Sequence, residues 1–248
     1  MIHKIPPTHP RAKSLIIREK LVEGFRNGIV VPEGLIAHGR GEAFDYLLGE
    51  KTTKYAYKAE KVAVCLLLLS KNSIISINGN TAALCASELV NLSNITKSKI
   101  EVNLFHKSIV RSKAIASILK KEKAEEVLGL NAKLRSSIKD ISSNRKYVDK
   151  NGIMNSNTVF VALEDGDRTE GLVKMGKKVI SIDLNPLSRT AIASNVTIID
   201  NIVRAIPNMI SISKELVNSN RSYLLQQIKN FNNIQNIHES LKIIRRGV

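Results

Sequence analysis

The feature that most constrains the fold is the stretch Lys177–Asn208, in which two short apolar, β-branched runs each end in an aspartate. The runs are Val179–Ile182 and Val196–Ile199, followed by Asp183 and Asp200. Such runs, bounded by polar residues, are typical of buried strands in an α/β sheet, and ligands bind just beyond the carboxyl ends of those strands. The polar residues here are therefore predicted to form one ligand-binding rim. They are Asp183, Asn185, Ser188, Arg189, Thr190, Asp200 and Asn201.

The rest of the chain repeats this alternation of strand and helix. Strands are predicted at Ser73–Ile77, Lys99–Leu104 and Thr158–Leu163, with apolar helical segments between them. The spacing predicts an α/β fold, a doubly wound and mainly parallel sheet with helices on both faces, preceded by an N-terminal helix over Arg11–Asn27. We expect one functional domain with three parts, residues 1–53, a core over 54–219 and a polar tail over 220–248.

Four segments are less regular. Ile29–Thr53 is interpreted as a functional loop that becomes helical near Glu42, and Ala132–Asn157 as an excursion with one short helix and a mobile loop. A helix over Ile202–Asn218 is predicted to be interrupted at Pro207. The weakly amphipathic tail either packs on the body or extends from it, and the pattern does not decide between the two.

The net charge of +16 has two explanations: attraction of anionic substrates by excess basic charge, or a compositional bias of the source genome toward Lys, Asn and Ile. Lys and Arg are spread along the whole chain and lack interleaved aromatic residues, which argues against a dedicated nucleic-acid surface. The longest apolar run, Val62–Leu69, is too short to cross a membrane, and the N-terminus lacks the apolar segment of a signal peptide. A soluble, cytoplasmic enzyme that handles phosphates fits this composition.

Metal-site and nucleotide-binding motifs of the common kinds are absent from the sequence. Cys65 and Cys85 have no second Cys or His at ligand spacing, and the histidines form no HxxxH or HExxH pair, so no zinc site is predicted. Neither a P-loop nor a GxGxxG fingerprint follows a strand. Nucleotide binding therefore requires another arrangement.

The triplet Gly39-Arg40-Gly41 offers one such arrangement. Glycines let a backbone approach a ligand closely, and a free guanidinium binds phosphate with two hydrogen bonds. The alternative is a surface turn with a solvated arginine. The neighbouring His38 and Glu42 favour the functional interpretation.

The segment Ile77–Ala82 joins a strand end to a helix N-terminus. Free N–H groups and the positive end of the helix dipole bind anions there. An ordinary turn with Asn80 or Thr81 as the helix cap explains the same residues, and such caps are common.

The segment Leu163–Glu170 places acidic residues at the end of another strand. These carboxylates would repel one another unless a cation lies between them, such as Mg²⁺ with a nucleotide or the ammonium of an amine substrate. Asp167 or Thr169 can also cap the next helix, whether the cation is Mg²⁺ or an ammonium. In the last rim, Asp183 suits ribose hydroxyls and Arg189 suits phosphates, while an Asx turn at Asn185-Pro186 is the structural alternative.

Taken together, these motifs resemble the archaeal phosphopantothenate synthetases, also called 4-phosphopantoate–beta-alanine ligases. The resemblance rests on Ala37–Thr52, Ile75–Asn80, Glu101–Phe105, Leu163–Glu170, Gly176–Ala191 and Ile198–Asn208. It implies a homodimeric, Rossmann-like enzyme of coenzyme A biosynthesis. Such an enzyme uses ATP and Mg²⁺ to join 4-phosphopantoate to beta-alanine, with release of AMP and diphosphate.

The resemblance also implies residue roles. ATP contacts fall at Arg18, Arg40, Asp183, Leu184, Asn185, Arg189, Thr190, Asn201 and Ile202. The chemistry of the reaction, rather than the resemblance itself, assigns catalysis to Arg40, Arg189, Asp165 and Asp167, and substrate binding to His38, Asn78, Asn80, Asn103 and Glu164. No metal ligand is assigned. Of the ATP residues, Arg18 alone lies away from the clusters described above.

Two rival hypotheses remain at this stage. One is a non-catalytic nucleotide-binding protein of the same fold, because fold alone does not fix function. The other is a nucleic-acid binder, which would lose affinity steeply with salt.

Overall fold

A computed structural model describes residues 5–6 and 8–246. The helices are α1 (Ala12–Arg26), α2 (Pro32–Leu47), α3 (Lys54–Leu69), α4 (Gly79–Thr96), α5 (Ile109–Lys121), α6 (Gly166–Lys174), α7 (Arg189–Ala193), α8 (Ile202–Leu216), α9 (Arg221–Lys229) and α10 (Asn233–Arg246). The strands are β1 (Ser73–Ile77), β2 (Lys99–Val102), β3 (Val127–Leu128), β4 (Arg135–Ser137), β5 (Tyr147–Asp149), β6 (Thr158–Ala162), β7 (Lys178–Ile182) and β8 (Val196–Ile198).

The main sheet is parallel throughout, with strand order β3-β2-β1-β6-β7-β8. Ile75 of β1 lies beside Ile100 of β2 on one side and Phe160 of β6 on the other. The chain winds outward from β1 in one direction and from β6 in the other. The boundary between β1 and β6 is therefore the switch point at which α/β sheets bind ligands, and the predicted doubly wound fold is confirmed.

Successive residues of the strands point to opposite faces of the sheet, and each face has its own hydrophobic core. Ile75, Phe160 and Ile180 pack on one face with side chains of α3, α4, α5 and α8. Ile74, Val159 and Val179 pack on the other with α6 and with residues 138–153. Helices thus cover both faces. Within the described residues, no helix combines the length and the apolar character that a membrane span requires.

The predicted helical turn from Glu42 is confirmed, but the loop predicted before it is wrong, because α2 occupies Pro32–Leu47 and Gly39-Arg40-Gly41 lies within it. Pro32 at the first helical position favours the helix start, while two interior glycines disfavour the helix by about 1 kcal/mol each. Tertiary contacts of the buried Glu42 and Asp45 with α1 and α8 offset that cost. The backbone of Gly39-Arg40-Gly41 is therefore hydrogen-bonded within a helix and does not form a loop against a ligand. The side chain of Arg40 is exposed and can still bind a phosphate.

Residues 132–157, called the excursion below, also differ from expectation. They form an antiparallel pair, β4 with β5, flanked by short 3₁₀ turns, and no α-helix. Ile138, Ile141, Val148 and Ile153 pack against the sheet. The excursion is therefore an integral part of the second core.

The C-terminal segment packs on the body as α9 and α10, which resolves the alternative that the sequence left open. Asn233 Oδ1 accepts a hydrogen bond from Thr197 N (2.8 Å), and Asn236 Nδ2 donates to Thr197 O (2.7 Å). These amides satisfy the edge strand β8, which otherwise presents unpaired backbone groups. The helix α8 continues through Pro207, so the predicted interruption is wrong.

Candidate active site

The carboxyl ends of five strands carry polar residues at one edge of the sheet. Asn78 follows β1, Asn103 follows β2, Glu164 follows β6, Asp183 follows β7, and Asp200 follows β8. Leu163, between β6 and Glu164, has a positive φ of 54°, which a branched side chain rarely adopts. Backbone strain of this kind clusters at functional sites.

Asp183 organises the turn after β7. Its carboxylate accepts hydrogen bonds from the backbone N–H of Asn185 (2.9 Å) and from the hydroxyl of Ser188, which in turn caps α7. Burial raises the pKa of Asp183, while those hydrogen bonds and the charge of Arg40 on α2 oppose the rise. A Cβ at Gly41 would lie 3.6 Å from Leu184 Cδ1, so this part of α2 packs beside the turn that follows Asp183.

The start of α7 meets the start of α6. A Cβ at Gly166 would lie 2.3 Å from Arg189 Cβ, so only glycine permits this approach. Arg189 makes a bidentate ion pair with Glu170, both distances being 3.0 Å, and its side chain remains 65% exposed. Thr190 donates to the backbone oxygen of Glu164 (3.0 Å). The β6 and β7 rims thus form one continuous surface.

The β8 rim is tied to α2. Asn201 Nδ2 donates to Asp45 Oδ2 (2.8 Å), and the Arg204 guanidinium bridges Asp45 and Asp200, with 2.6 Å to Asp200 Oδ1. Thr52 also donates to Asp200 (2.5 Å). This network fixes Asn201 at the N-terminus of α8 beside the buried Ile202.

Arg18 on α1 belongs to a smaller network with α2. Its guanidinium contacts Glu42 at 2.9 Å and the Tyr46 hydroxyl at 3.0 Å. The hydrogen bond with Glu42 is the main cause of its raised pKa. Arg18 is therefore paired with α2, although 38% of its side chain remains exposed.

The larger cavity at this edge has a volume of about 700 Å³ and lies between α1, α2 and the start of α8. Its walls include Ile17, His38, Glu42, Asn201 and Arg204. His38 is buried, burial lowers its pKa, and its Nε2 has no hydrogen-bond partner among the described residues. An unpartnered buried nitrogen in a cavity of this size points to a polar ligand.

A second cavity of about 330 Å³ lies at the switch point. It is lined by Asn78, Gly79 and Asn80 at the N-terminus of α4 and by the cations Arg111 and Arg145. Asn78, rather than the predicted Asn80 or Thr81, is the cap of α4, in a capping box with Thr81. Helix dipole and guanidinium groups here favour an anionic ligand.

The predicted substrate residues divide between the two cavities. Asn78 and Asn80 line the smaller one, whereas His38 lines the larger one. Asn103 is buried and donates to the backbone oxygen of Tyr147 (3.0 Å), so it holds the excursion. The structure does not bring these residues into one pocket.

The prediction that the acidic residues of Leu163–Glu170 need an external cation is wrong for two of them. Glu164 is buried between Arg145 (2.6 Å) and Arg168, and Glu170 pairs with Arg189. Asp165 lies 2.9 Å from Arg145 Nε, outside hydrogen-bonding geometry, and burial raises its pKa. The compensating arginines belong to the protein itself.

Local sequence patterns missed several of these residues. Arg145 lies in the irregular excursion, and Arg111 and Arg168 lie on helices with no local cue to their partners. Arg204 follows Asp200 by four residues on α8, a spacing that predicts an ion pair once the helix start is known. Among the described residues, no group of three or more His, Cys, Asp or Glu side chains is arranged to hold a metal ion.

Comparison with known proteins gives a consistent result. A family model described as phosphopantothenate/pantothenate synthetase matches residues 55–247. A protein of Thermococcus onnurineus named 4-phosphopantoate–beta-alanine ligase is 48% identical over 243 residues, covering 98% of this chain and 92% of its own length. Proteins of the same name from Thermococcus kodakarensis and Methanosarcina mazei are 46% and 45% identical, each covering 97% of this chain and 92% and 94% of their own lengths.

Proposed function

The chain belongs to the phosphopantothenate/pantothenate synthetase family, and on that premise we propose that it is an ATP-dependent ligase of coenzyme A biosynthesis. It joins 4-phosphopantoate to beta-alanine and forms 4'-phosphopantothenate, AMP and diphosphate. The observation that carries the proposal is identity of 45–48% with the ligases of that name over nearly the full length.

The chemistry requires activation of a carboxylate. A carboxylate does not react with an amine at neutral pH until one of its oxygens becomes a leaving group, and AMP transfer achieves this. The carboxylate attacks the α-phosphorus of ATP, diphosphate leaves, and an acyl-adenylate forms. The ammonium of beta-alanine gives up one proton to become a free amine, which attacks the acyl carbon; AMP leaves, and a second proton passes to solvent as the amide forms.

ATP binds, in this proposal, along the β7 and β8 rims and into the larger cavity. Its contacts are Arg18, Arg40, Asp183, Leu184, Asn185, Arg189, Thr190, Asn201 and Ile202. Arg40 and Arg189 stabilise the charge that develops on the phosphates during adenylation, and their exposure leaves them free to turn toward the nucleotide. The unpartnered Nε2 of His38 supports a polar ligand in that cavity.

The acid substrate, 4-phosphopantoate, occupies the smaller cavity. Two features support this placement: the cavity has guanidinium groups from Arg111 and Arg145 and the N-terminus of α4, and it lies at the switch point next to the β6 and β7 rims. A phosphate monoester carries about −1.5 to −2 charges at neutral pH and matches such a surface.

Mg²⁺ enters the proposal with the nucleotide. Mg²⁺ in nucleotide sites is held by one or two carboxylates together with substrate phosphates, so no cluster of protein ligands is required. Asp165 and Asp167 fit that role, since Glu164 and Glu170 are hydrogen-bonded to arginines, whereas Asp165 meets Arg145 outside hydrogen-bonding geometry. The ion would neutralise charge on the departing diphosphate, and the same two aspartates would hold the ammonium of beta-alanine.

The same proposal includes a cytoplasmic homodimer. Ile109 and Val110, at the start of α5, are 70% and 79% exposed, which supports an interface near the smaller cavity. Light scattering coupled to size exclusion is the direct measurement of the oligomeric state.

Product identification tests the reaction. We expect AMP, and no ADP, when ATP, 4-phosphopantoate and beta-alanine are all present, and a trapped adenylate when beta-alanine is omitted. ADP as the nucleotide product would overturn the proposal. ATP binding without turnover on any pantoate derivative would favour a non-catalytic protein.

A further inference from the structure

Glu101 is a buried carboxyl that the proposed chemistry does not use. It lies in the middle of β2, on the face that the excursion covers, and its side chain has no exposure. Burial raises its pKa to about 7, and an apolar residue would fill the same space without that desolvation cost. The contacts of its two oxygens explain why a carboxyl occupies this position.

Both oxygens accept hydrogen bonds from the backbone of the excursion. Oε1 accepts from Asp149 N at 3.1 Å, and Oε2 accepts from Ile153 N at 2.7 Å. Gly152 permits the contact, because a Cβ there would lie 2.1 Å from Oε2. Asn103, two residues along the same strand face, donates to Tyr147 O. Glu101 of β2 and Asn103 just after it therefore contact the excursion at three backbone positions.

The segment fixed in this way carries Arg145. Arg145 precedes β5 by two residues, is buried between Glu164 and Asp165, and lines the smaller cavity. Glu101 itself lines neither cavity. We propose that Glu101 is a positioning residue, which acts through residues 145–153 to hold Arg145 at the binding site of the acid substrate. The proposal rests on the function proposed above for that cavity.

The matched experiment compares E101Q with K177Q. In E101Q the remaining side-chain oxygen still accepts a hydrogen bond from one backbone N–H of the excursion. The new NH₂ group faces the other backbone N–H, and because both are donors that hydrogen bond is lost. Lys177 also holds the excursion through the carbonyl oxygens of Met154 (2.9 Å) and Ser156 (2.7 Å), but at the opposite edge of the sheet. We expect E101Q to raise KM for 4-phosphopantoate about 10-fold, the lower end of the effect that loss of an outer-shell hydrogen bond has at metal sites. KM for ATP in E101Q, and both constants in K177Q, should stay within about twofold of wild type.

A double-mutant cycle separates positioning from general damage. If Glu101 acts through Arg145, the double variant E101Q/R145A should have the KM of R145A alone, within about twofold. If the two effects multiply, Glu101 acts independently of Arg145 and the proposal is overturned.

Chemical labelling supplies a readout that needs no catalysis. Arg145 is 7% exposed, so phenylglyoxal should modify it slowly in wild type and faster in E101Q. Equal rates would overturn the positioning role whatever the activity. If E101Q does not fold, G152A displaces the same contact from the excursion side and should give the same results. Absence of AMP formation by wild type, with faster labelling in E101Q, would instead refute the proposed function and retain the positioning role.

Discussion

The two cavities at the carboxyl edge hold their arginines in different ways. At the smaller cavity, Arg145 lies in a buried ionic cluster with Glu164 and Arg168, and these side chains are 7%, 1% and 0% exposed. Beside the larger cavity, Arg18 is 38% exposed, and Arg189 on the nearby β7 rim is 65% exposed. The smaller cavity is preorganised by buried pairs, whereas the nucleotide side combines one largely buried network, Arg204 with Asp45 and Asp200, with the more exposed ion pairs of Arg18 and Arg189.

This difference predicts which substitutions should change stability and which should change activity. Buried pairs cost stability when one partner is removed, whereas exposed pairs contribute little to it. We therefore expect substitutions of buried ionised groups to affect unfolding and those of the exposed arginines on the nucleotide side to affect mainly catalysis. The predictions below test that division, from the largest expected effect to the smallest.

Arg168→Ala should have the largest effect on stability. The buried Arg168 contacts Glu164 and Ser76, so its removal leaves buried acceptors poorly compensated. We expect the free energy of unfolding to fall by about 3–5 kcal/mol. Denaturant unfolding with an unchanged m-value measures this fall. A loss below about 1 kcal/mol would contradict the view that the smaller cavity is preorganised by buried pairs.

Arg40→Ala and Arg189→Ala should show the opposite profile. Each removes a guanidinium proposed to stabilise transferring phosphate, so kcat/KM for AMP formation should fall by about 10²–10³. Their unfolding free energies should stay within about 1 kcal/mol of wild type, because both side chains are exposed. Glu170→Ala is the control, since it frees Arg189 without removing it. Near-normal kcat/KM in both arginine variants would show that the ATP site is assigned wrongly.

The contrast between the cavities also explains what sequence could predict. The parallel sheet and its polar rim were predictable, because Val- and Ile-rich runs and the residues after them are local patterns. The β7 and β8 side lies within one such stretch, so Asp183 and Asn201 were placed correctly at the rim. Arg145 meets Glu164 from an irregular segment, and no periodicity encodes that contact. The helical state of Gly39-Arg40-Gly41 was missed for a related reason, because tertiary contacts outweigh the low helix propensity of glycine.

Glu60 is a buried carboxyl near the nucleotide side, and it tests whether buried groups there also affect stability. Neither carboxyl oxygen of this buried residue on α3 has a hydrogen-bond partner within the described chain, although Asn208 lies close to it. Burial, followed by the charge of Asp200, raises its pKa from 4.5 to about 8. The folded state therefore keeps a proton that the unfolded chain has released, and wild-type stability falls as pH rises from 4.5 toward 8.

Glu60→Gln should remove that dependence, because the amide does not titrate. Between about pH 6 and about pH 7.5 the unfolding free energy of wild type should fall by about 2 kcal/mol relative to the variant. Unfolding curves of both proteins at several pH values provide the measurement. Parallel pH profiles would mean that Glu60 is ionised in the folded protein throughout this range.

Tyr46→Phe is expected to have the smallest effect and gives the sharpest test of how Arg18 is held. The hydroxyl accepts hydrogen bonds from Arg11 (2.6 Å) and Arg18 (3.0 Å) and donates to Glu42 (3.0 Å), all near the mouth of the larger cavity. Removing it leaves the Arg18–Glu42 pair in place, so stability should fall by less than about 1 kcal/mol. KM for ATP should rise about two- to fivefold with little change in kcat, because Arg18 is less well oriented but still charged. If Tyr46→Phe instead lowered kcat and left KM for ATP unchanged, Arg18 would act in the chemical step rather than in nucleotide binding. The nucleotide side would then depend on preorganised contacts as much as the smaller cavity does.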